Sequence, residues 1–348
     1  MTSKELVCAT YRFEKTERFP FDLSEGRSWP EMLTFFNDKH DLSSHTEMIE
    51  WLDTDFRWLE SIYSGPEKGE PGYWSFVSEV TYSADVYKPP LYDATSIADV
   101  DAYKLPDPSW WTLPDFQEGA QKWPDKSLVF LPGWMPLFCC TCYSFGMDNA
   151  LANMLLEPSL IEAYLTKHNE FYIEVLSRGL PLAKEVCDIV WLGDDYASQT
   201  NMIFDPDLFR KFIKPHLKKQ VQMIRDAGMN ILLHSCGAIR SILPDLIDIG
   251  INGLLVFQTT ASGMDAPSIA RDFGGEMVFY GGIDSQSLLT FGTPEQVRTE
   301  VEANIRAFDK CGGYIVANCH HGLSDIQGSN IVAMCDSARV APRGGEHG

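Results

Sequence analysis

Along most of the chain, short runs of apolar residues alternate with longer stretches in which apolar positions recur at helical spacing. From about residue 128 onward this alternation repeats with little interruption. Repeated strand and helix units are typical of a parallel sheet covered by helices, and seven strand-like runs come close to the eight of a (β/α)8 TIM barrel, which is the α/β fold that we predict. The runs are RFPFDLS, SLVFLPGW, CDIVWLG, NILLHSC, GLLVFQTT, MVFYGGID and YIVANC.

The stretches between these runs carry the signals of helix ends. Several begin at Pro or Thr-Pro and end at Gly, as helix caps favour. Residues from about 40 to 120 differ, because they are rich in Trp, Tyr, Pro and Asp, and we interpret them as an irregular N-terminal extension packed on the barrel. No Ser/Gly-rich linker divides the sequence, so residues 1–348 are expected to form a single barrel domain.

The charge balance narrows the range of partners. The chain has 28 basic and 49 acidic residues and a net charge of -21, which disfavours nucleic acid and anionic membrane surfaces. No stretch reaches the roughly 18 apolar residues of a membrane helix, and the first residues lack the apolar centre of a signal peptide. We therefore expect a cytoplasmic protein, in which a disulfide framework among the nine cysteines is not expected.

The strongest local signal is LLHSCG at the end of a predicted strand. His234 and Cys236 are two residues apart, so their side chains leave the same face of the strand and can converge on one ion. Cys319 ends a later strand in IVANCHHG, and the carboxyl ends of barrel strands gather on one face. A His, Cys and Cys set leaves a fourth zinc position open, as in catalytic sites. The alternative is that either cysteine is only buried packing.

Polar residues also follow other predicted strands. Asp194 and Asp195 are adjacent and point to opposite faces, so one of them should face the barrel mouth. The alternative is that Asp194 caps a turn and Asp195 is solvated. Gln258 and Asp284 stand at two further strand ends, where barrel active sites are built.

The stretch from His234 to Met334 resembles the uroporphyrinogen decarboxylase superfamily, and the resemblance covers nearly the whole chain. It implies a (β/α)8 barrel with an N-terminal extension. The segments that carry it are HSCGAIRSILPDLIDIGINGL, GMDAPSIARDFGGEMVFYGGIDSQSLLTFGTPEQV, GGYIVANCHH and SNIVAM, with GDDYASQT, FDPDLFRKFIKPHLK, WLDTDFRW and DATSIADVDAYKLPDPSWW earlier in the chain.

Two chemistries occur in that superfamily. Uroporphyrinogen decarboxylases carry an arginine-rich N-terminal segment that binds the carboxylates of their substrate, whereas FPFDLSEGRSWPEM has only Arg27 among three acidic residues. The zinc-dependent, corrinoid-linked methyltransferases carry a His-x-Cys and a distant Cys, which this sequence matches at His234, Cys236 and Cys319. Many relatives outside that branch have serine at the position of Cys319, so this cysteine favours the zinc interpretation.

The resemblance implies methyl transfer from a methoxylated, especially aromatic, or other small methyl donor to the Co(I) corrinoid of a partner protein. Zinc at the ether oxygen, or protonation by Asp195 or His320, would stabilise charge on the leaving oxygen, and these two residues are the predicted catalytic residues. The predicted substrate-binding residues are Asp194, Gln199, Gln258 and Asp284, and the residues considered for an aromatic wall or for ordinary packing are Tyr73, Trp74, Trp110 and Trp111.

Three alternatives stay open. In the first, zinc binds a coenzyme-M-like thiol that accepts the methyl group, and Arg240 is the nearest cation for its sulfonate. In the second, the protein is a uroporphyrinogen decarboxylase, and in the third it binds a small molecule without catalysis. The oligomeric state is open as well, with a homodimer as one option.

Overall fold

The computed structural model describes residues 1–24, 30–66, 88–320 and 325–341. Its strands are β1 Phe56–Glu60, β2 Ile62–Tyr63, β3 Trp111–Thr112, β4 Ser127–Leu131, β5 Ile189–Gly193, β6 Asn230–His234, β7 Gly253–Phe257, β8 Val278–Ile283 and β9 Tyr314–Asn318. Within the described ranges, seven of them form one parallel sheet in the order β1, β4, β5, β6, β7, β8, β9. The remaining two, β2 and β3, form a separate antiparallel pair.

A short segment around Phe21 fills the gap between the first and last strands of the large sheet. On one side Phe21 forms a parallel bridge with Val316 of β9, whose N–H donates to the Pro20 carbonyl at 2.9 Å. On the other side the N–H of Asp55, just before β1, donates to the Phe21 carbonyl at 3.0 Å. This segment around Phe21, which we call the closing segment, takes the place of an eighth strand. It lies in the run RFPFDLS, for which the sequence predicted a strand.

Helices surround the sheet, and α1 contributes Val7 and Tyr11 to the side-chain cluster inside the barrel. They are α1 Ser3–Tyr11, α2 Pro30–His40, α3 His45–Trp51, α4 Ile97–Ala102, α5 Phe116–Lys122, α6 Leu137–Phe145, α7 Met147–Leu156, α8 Pro158–Ala183, α9 Pro206–Leu208, α10 Lys214–Asp226, α11 Leu243–Asp248, α12 Ala266–Phe273, α13 Leu288–Phe291, α14 Pro294–Phe308 and α15 Gly328–Val340. Short 3-10 turns at Pro108–Trp110 and Arg240–Ile242 and a π turn at Phe209–Ile213 supplement them. Among the described residues, no helix has both the length and the apolar character needed to cross a membrane.

The helix starts follow the signals in the sequence. Before α14 the Thr293 hydroxyl accepts a hydrogen bond from Gln296 N, and the side-chain oxygen of Gln296 accepts one from Thr293 N. The long helix α8 has Pro158 at its first position, where the missing N–H has no helical partner to lose. The TIM-barrel type of α/β fold is thus confirmed.

Buried apolar side chains form two clusters on the two faces of the sheet. The larger one lies between the sheet and the helices. The smaller one, the interior cluster, fills the inside of the barrel with inward-facing side chains such as Val129, Trp191, Leu232, Tyr280 and Cys319. Because side chains fill the inside of the barrel, the polar residues at the strand ends form the surface of the barrel mouth.

The region from 40 to 120 differs from the prediction in one respect. It contributes β1, a strand of the barrel itself, which pairs in parallel with β4. The strand lacks a continuous apolar run because Arg57 interrupts it; the buried guanidinium donates to the carbonyls of Thr54 and Phe56. The β2 and β3 pair is the predicted short-strand part, while residues 67–87 lie outside the described ranges.

Candidate metal centre at the barrel mouth

The site begins where β6 ends. His234 is the last residue of β6 and is only 5% exposed. Its neighbour two positions on, Cys236, lies on the same side of the chain, with the Cys236 Sγ 3.6 Å from His234 Nε2. The spacing seen in the sequence therefore brings an imidazole nitrogen and a thiol sulfur together, as predicted.

His320 lies against this pair. The ligand atoms of His234, Cys236 and His320 all lie within 4.8 Å of one another, and the two imidazole centroids are 6.0 Å apart. We call these three residues the donor group. Two imidazoles and a thiolate are ligands that zinc and related ions bind, and the arrangement is built from the ends of β6 and β9.

Cys319, the predicted third ligand, occupies a different position. Its side chain is 2% exposed and belongs to the interior cluster, and its Sγ donates to the Phe257 carbonyl at 3.0 Å. Burial raises the pKa of Cys319 to about 12. Cys319 thus lies beside the donor group in sequence but is not one of its members, and its role as a ligand stays a prediction.

Asp195 is the member of the aspartate pair that faces the donor group. Its Oδ1 accepts a hydrogen bond from Cys236 N at 2.8 Å and lies 3.7 Å from His234 Nε2. A carboxylate in this position can orient an imidazole ligand or receive its proton. The structure therefore decides between the two adjacent aspartates, which the sequence could not do.

Asp194 points the other way, at the first turn of α6. Its two oxygens accept hydrogen bonds from Phe138 N at 2.7 Å and Cys139 N at 3.0 Å. Burial raises the pKa of Asp194 to about 6, although these bonds lower it. This carboxylate anchors α6 behind the site, and substrate binding by Asp194 stays a prediction.

Gln258 supports the loop that follows Cys236. Its Oε1 accepts a hydrogen bond from Gly237 N at 2.6 Å. Gly237 has a φ of +84°, and a Cβ at this position would lie 2.4 Å from the Ser198 carbonyl oxygen. Only glycine fits such a close approach. By accepting the bond from Gly237 N, Gln258, which the sequence predicted to bind substrate, holds the backbone of the barrel mouth in place.

The hydrogen bonds of the other two predicted substrate-binding residues are made outside the donor group. The Asp284 carboxylate accepts backbone hydrogen bonds from Gln286, Ser287 and Leu288 and so caps α13. Gln199 is exposed, and its carbonyl accepts a bond from Ser262 N. Substrate binding by Asp284 and Gln199 stays a prediction.

Two tryptophans that the sequence analysis did not select flank the donor group. The indole centroids of Trp134 and Trp191 lie 5.6 Å and 5.9 Å from that of His234 and 5.8 Å from each other. Both stand near the ends of predicted strands, and that position is the signal that could have found them. Trp111, by contrast, is buried against Phe171 as ordinary packing.

Of the other aromatic residues considered for a substrate wall, one is described. Trp110 lies edge-on to Tyr63, with ring centroids 6.3 Å apart, next to the β2 and β3 pair. Tyr73 and Trp74 lie outside the described ranges. Among the described residues, the aromatic surface beside the donor group is therefore provided by Trp134, which follows β4, and Trp191, which lies on β5.

The fold and the donor group define an α/β barrel with a candidate metal centre at the carboxyl ends of its strands. Residues 80–340 match the family model described as uroporphyrinogen decarboxylase (URO-D). That range is well over half of the chain. The chain belongs to the uroporphyrinogen decarboxylase family, as the sequence resemblance implied.

Two curated relatives from Methanosarcina species match part of the chain. The chain is 29% identical to the methylcobamide:CoM methyltransferase MtaA of Methanosarcina barkeri over 115 residues, which are 33% of this chain and 32% of MtaA. It is 23% identical to MtbA of Methanosarcina acetivorans, also a methylcobamide:CoM methyltransferase, over 193 residues, 56% of this chain and 50% of MtbA. The matches thus span between a third and a half of these relatives.

A solved structure described as a methyltransferase from Methanosarcina mazei has the same fold. Its TM-score is 0.64, and the match covers 97% of this chain and 98% of that one at 16% sequence identity. At this identity the likeness establishes the shared barrel over its whole length. The family and fold are therefore fixed independently of the donor group.

Proposed function

We propose that this protein is the methyltransferase of a corrinoid system, which moves a methyl group from a small methyl donor to the reduced corrinoid carried by a partner protein. The observation that carries the proposal is the donor group at the barrel mouth, formed by His234, Cys236 and His320 within 4.8 Å. The names of the Methanosarcina relatives support corrinoid-linked methyl transfer, without its direction. We take a methoxylated compound, aromatic above all, as the donor.

The chemistry of the donor group fits a zinc ion. Two imidazole nitrogens and one thiolate sulfur would hold it and leave a fourth position for substrate. When bound, zinc supplies a Lewis acid that stabilises negative charge on the leaving atom of the donor. We propose His320 as the third protein ligand, with Cys319 as the alternative, because the Cys319 thiol is committed to the Phe257 carbonyl.

The chain's own residues hold this centre in shape. Asp195 fixes the loop after β6 through Cys236 N and lies beside His234, so it keeps both side chains oriented. Trp134 and Trp191 cover the His234 ring and keep water away from it. Behind them, Asp194 ties α6 to the strand end, so the predicted polar residues act mainly as supports.

A second candidate function keeps the metal and reverses the transfer, from a methylated corrinoid to a thiol. The names of MtaA and MtbA favour it. A sulfonate-bearing thiol would need a cation at the site, and Arg240 is bonded to Asp272, Ser268 and the Gly263 carbonyl. These bonds hold Arg240 at α12, so we place methyl donation to the corrinoid first.

Metal content provides the first test. Protein purified without chelator should hold about one zinc per chain. Cys236→Ser and His320→Ala should lose the metal, while Cys319→Ser should keep it. With cobalt(II) in place of zinc, the thiolate charge-transfer band should be unchanged in Cys319→Ser. Wild-type protein without metal would exclude both functions, and loss of metal in Cys319→Ser would make Cys319 the ligand.

Methyl transfer is the second test. The protein is mixed with a reduced corrinoid protein and a panel of methoxyaromatic compounds, and the methylated corrinoid is followed by its absorption spectrum. Formation of that spectrum with one of the donors supports the proposal. Turnover with a thiol and methylated corrinoid, but with none of the donors, would assign the reverse reaction instead.

A further inference from the structure

A buried amide lies at the end of β9, between the closing segment and the donor group. Asn318 is the last residue of β9 and is 1% exposed. Its Oδ1 accepts a hydrogen bond from Ser24 N at 2.9 Å, and its Nδ2 donates to the His320 carbonyl. One side chain thus connects the closing segment to a residue that supplies an imidazole to the donor group.

The bond to Ser24 continues the ladder that joins the closing segment to β9. Val316 N donates to the Pro20 carbonyl at 2.9 Å, and Asp22 N donates to the Val316 carbonyl at 3.0 Å. In a parallel ladder the next such bond, two residues further along both strands, would run from Ser24 N to the main-chain carbonyl of Asn318. The Asn318 side chain accepts that bond instead, so this end of the ladder depends on a side-chain amide.

The bond to His320 holds the turn that follows β9. On the β8 side of the strand, Cys319 N donates to the Ile283 carbonyl at 2.9 Å, which fixes the chain as far as Cys319. His320 comes next, and the Asn318 amide reaches two residues ahead to its carbonyl. Because neighbouring residues at a strand end point in opposite directions, the path of this turn decides whether Cys319 or His320 lies in the donor group.

An amide meets both demands at this position. Oδ1 must accept, since its partner is a backbone N–H, and Nδ2 must donate, since its partner is a carbonyl oxygen. An ionised aspartate has the same shape but two acceptor oxygens, so it would keep the bond from Ser24 and set an acceptor against the His320 carbonyl. Alanine would lose both bonds. The two substitutions therefore separate the two contacts.

We propose that Asn318 is a positioning residue, which holds the turn after β9 so that His320 joins the donor group and thereby couples metal binding to the closing segment. The inference rests on the proposed function in so far as it takes the donor group to be a metal centre. It goes further by assigning a role to a buried side chain outside that group. Because coupling between sites is reciprocal, metal at the donor group should in turn stabilise the bond at Ser24.

Zinc affinity provides the first test. It is measured on the full chain by competition with a chromophoric chelator, without corrinoid or methyl donor. Asn318→Asp and Asn318→Ala should each raise the zinc Kd about 10- to 100-fold, which is the usual loss when a group that orients a metal ligand is removed. Wild-type zinc affinity in both variants would overturn the proposal.

Asn330→Asp provides a matched control. Asn330 is also a fully buried amide that donates to carbonyls, those of Leu289 and Gly292 at 3.0 Å and 2.9 Å. Its bonds are made to the region of α13 and not to the donor group, so the zinc Kd should stay within about twofold of the wild type even where the fold is destabilised. An equal rise in Kd in this control would reduce Asn318 to a general structural role and contradict the proposal.

The spectrum of bound cobalt(II) reports the ligands directly. In Asn318→Asp the thiolate charge-transfer band should persist, because Cys236 still binds the metal. The ligand-field bands should shift, because the His320 imidazole is displaced from its wild-type position. Identical spectra of the wild type and Asn318→Asp would show that the amide does not position His320.

Hydrogen exchange at the Ser24 amide provides the reciprocal measurement. In the wild type, zinc should slow this exchange about 10-fold or more, because opening the bond to Asn318 also loosens the turn that holds His320. In Asn318→Ala, exchange at Ser24 should be fast with or without zinc. If Asn318 only fastens the closing segment, zinc would leave the wild-type exchange rate unchanged, and the proposed coupling would be refuted.

None of these measurements needs methyl transfer. A protein that shows the expected zinc affinities and exchange rates but transfers no methyl group would refute the proposed function and leave the role of Asn318 standing. A protein that transfers methyl groups while Asn318→Asp keeps the wild-type zinc affinity and cobalt spectrum would have the opposite meaning. Wild-type protein that binds no metal would overturn both.

Discussion

Buried carboxylates are hydrogen-bonded to different extents at the two ends of the barrel. At the amino ends of the strands, Asp55 is saturated: Arg18 donates two bonds to it at 2.7 Å and 2.8 Å, Phe21 N one at 2.8 Å and the Ser3 hydroxyl one at 2.7 Å. Nearer the carboxyl ends, Asp22 Oδ1 has no hydrogen-bond partner among the described residues. The same residue type is thus fully hydrogen-bonded at one end and only partly hydrogen-bonded at the other.

Other polar side chains follow the same division. At the amino ends, Asn252 donates to Asn230 at 2.9 Å and accepts from Ile231 N, and Lys4 lies 3.4 Å from Asp188. These groups satisfy one another and lock neighbouring strands together. At the mouth, ligand atoms of the donor group converge instead on a common centre. Barrel enzymes commonly separate stability from chemistry in this way.

The largest expected effect is a loss of methyl transfer at the barrel mouth, with little change in stability. Cys236→Ser should lower methyl transfer by more than about 100-fold, because even groups behind a metal ligand commonly contribute 10- to 100-fold. The free energy of unfolding of the metal-free protein should change by less than about 1 kcal/mol, since serine is nearly the same size. Corrinoid methylation rates and urea unfolding measure the two quantities. A large loss of stability would contradict the separation of stability and chemistry between the two ends of the barrel.

The opposite pattern is expected at the amino ends. Arg18→Ala leaves the fully buried Asp55 carboxylate without its charge partner and should lower the free energy of unfolding by about 3–5 kcal/mol. Metal content and methyl transfer per folded molecule should stay unchanged. Denaturant unfolding and metal analysis on the same sample provide the check. Loss of metal at wild-type stability would contradict the comparison.

Stability as a function of pH sharpens the contrast further. Because burial raises the pKa of Asp22 from 3.8 to about 7, the folded state favours its acid form. The stability that the folded state gains from the acid form of Asp22 is fully present below pH 4 and is lost as the pH rises to 7. The loss is at most about 4 kcal/mol, at about 1.4 kcal/mol per pKa unit. Unfolding from pH 4 to pH 8 should therefore be flatter in Asp22→Asn than in the wild type, and parallel curves would refute a neutral Asp22.

The smallest expected effect concerns the aromatic cover of the site. A Cβ at Gly193 would lie 2.6 Å from the Trp191 ring and 2.7 Å from the Trp134 ring. Gly193→Ala should therefore displace both indoles from His234 and cost about 1–3 kcal/mol. Tryptophan emission and thermal unfolding measure it. Unchanged emission together with wild-type stability would show that the two rings are not tightly packed.

Much of the fold could be predicted because six strands from β4 onward are continuous apolar runs, which is what burial on both faces demands. The strand β1 was missed because Arg57 and Glu60 interrupt its pattern, and nothing in the sequence shows that the Arg57 guanidinium donates to the nearby carbonyls of Thr54 and Phe56. The pattern of apolar residues therefore fails where a charged side chain is buried against the neighbouring backbone.

Part of the candidate site could be predicted from the sequence, while the ligand role predicted for Cys319 stays a prediction. His234 and Cys236 follow from their spacing, whereas the choice between Cys319 and His320 depends on which way the chain turns after β9. Adjacent residues at a strand end point in opposite directions, so a shift of one position exchanges a core residue for a donor. The same uncertainty applied to Asp194 and Asp195. Asn318 gave no signal, because its partner Ser24 lies far away in sequence.

The closing segment has a consequence for how the protein is made. Ser24 N donates to the Asn318 side chain across 294 residues of sequence, and Tyr280 reaches Asp22 across 258. Contacts at such separation form late, because the intervening chain must first be ordered. On the ribosome, Asp22 can take its place only after β9 has emerged. Assembly of the barrel interior therefore waits for β9, and a nascent chain stalled before β9 would lack these contacts.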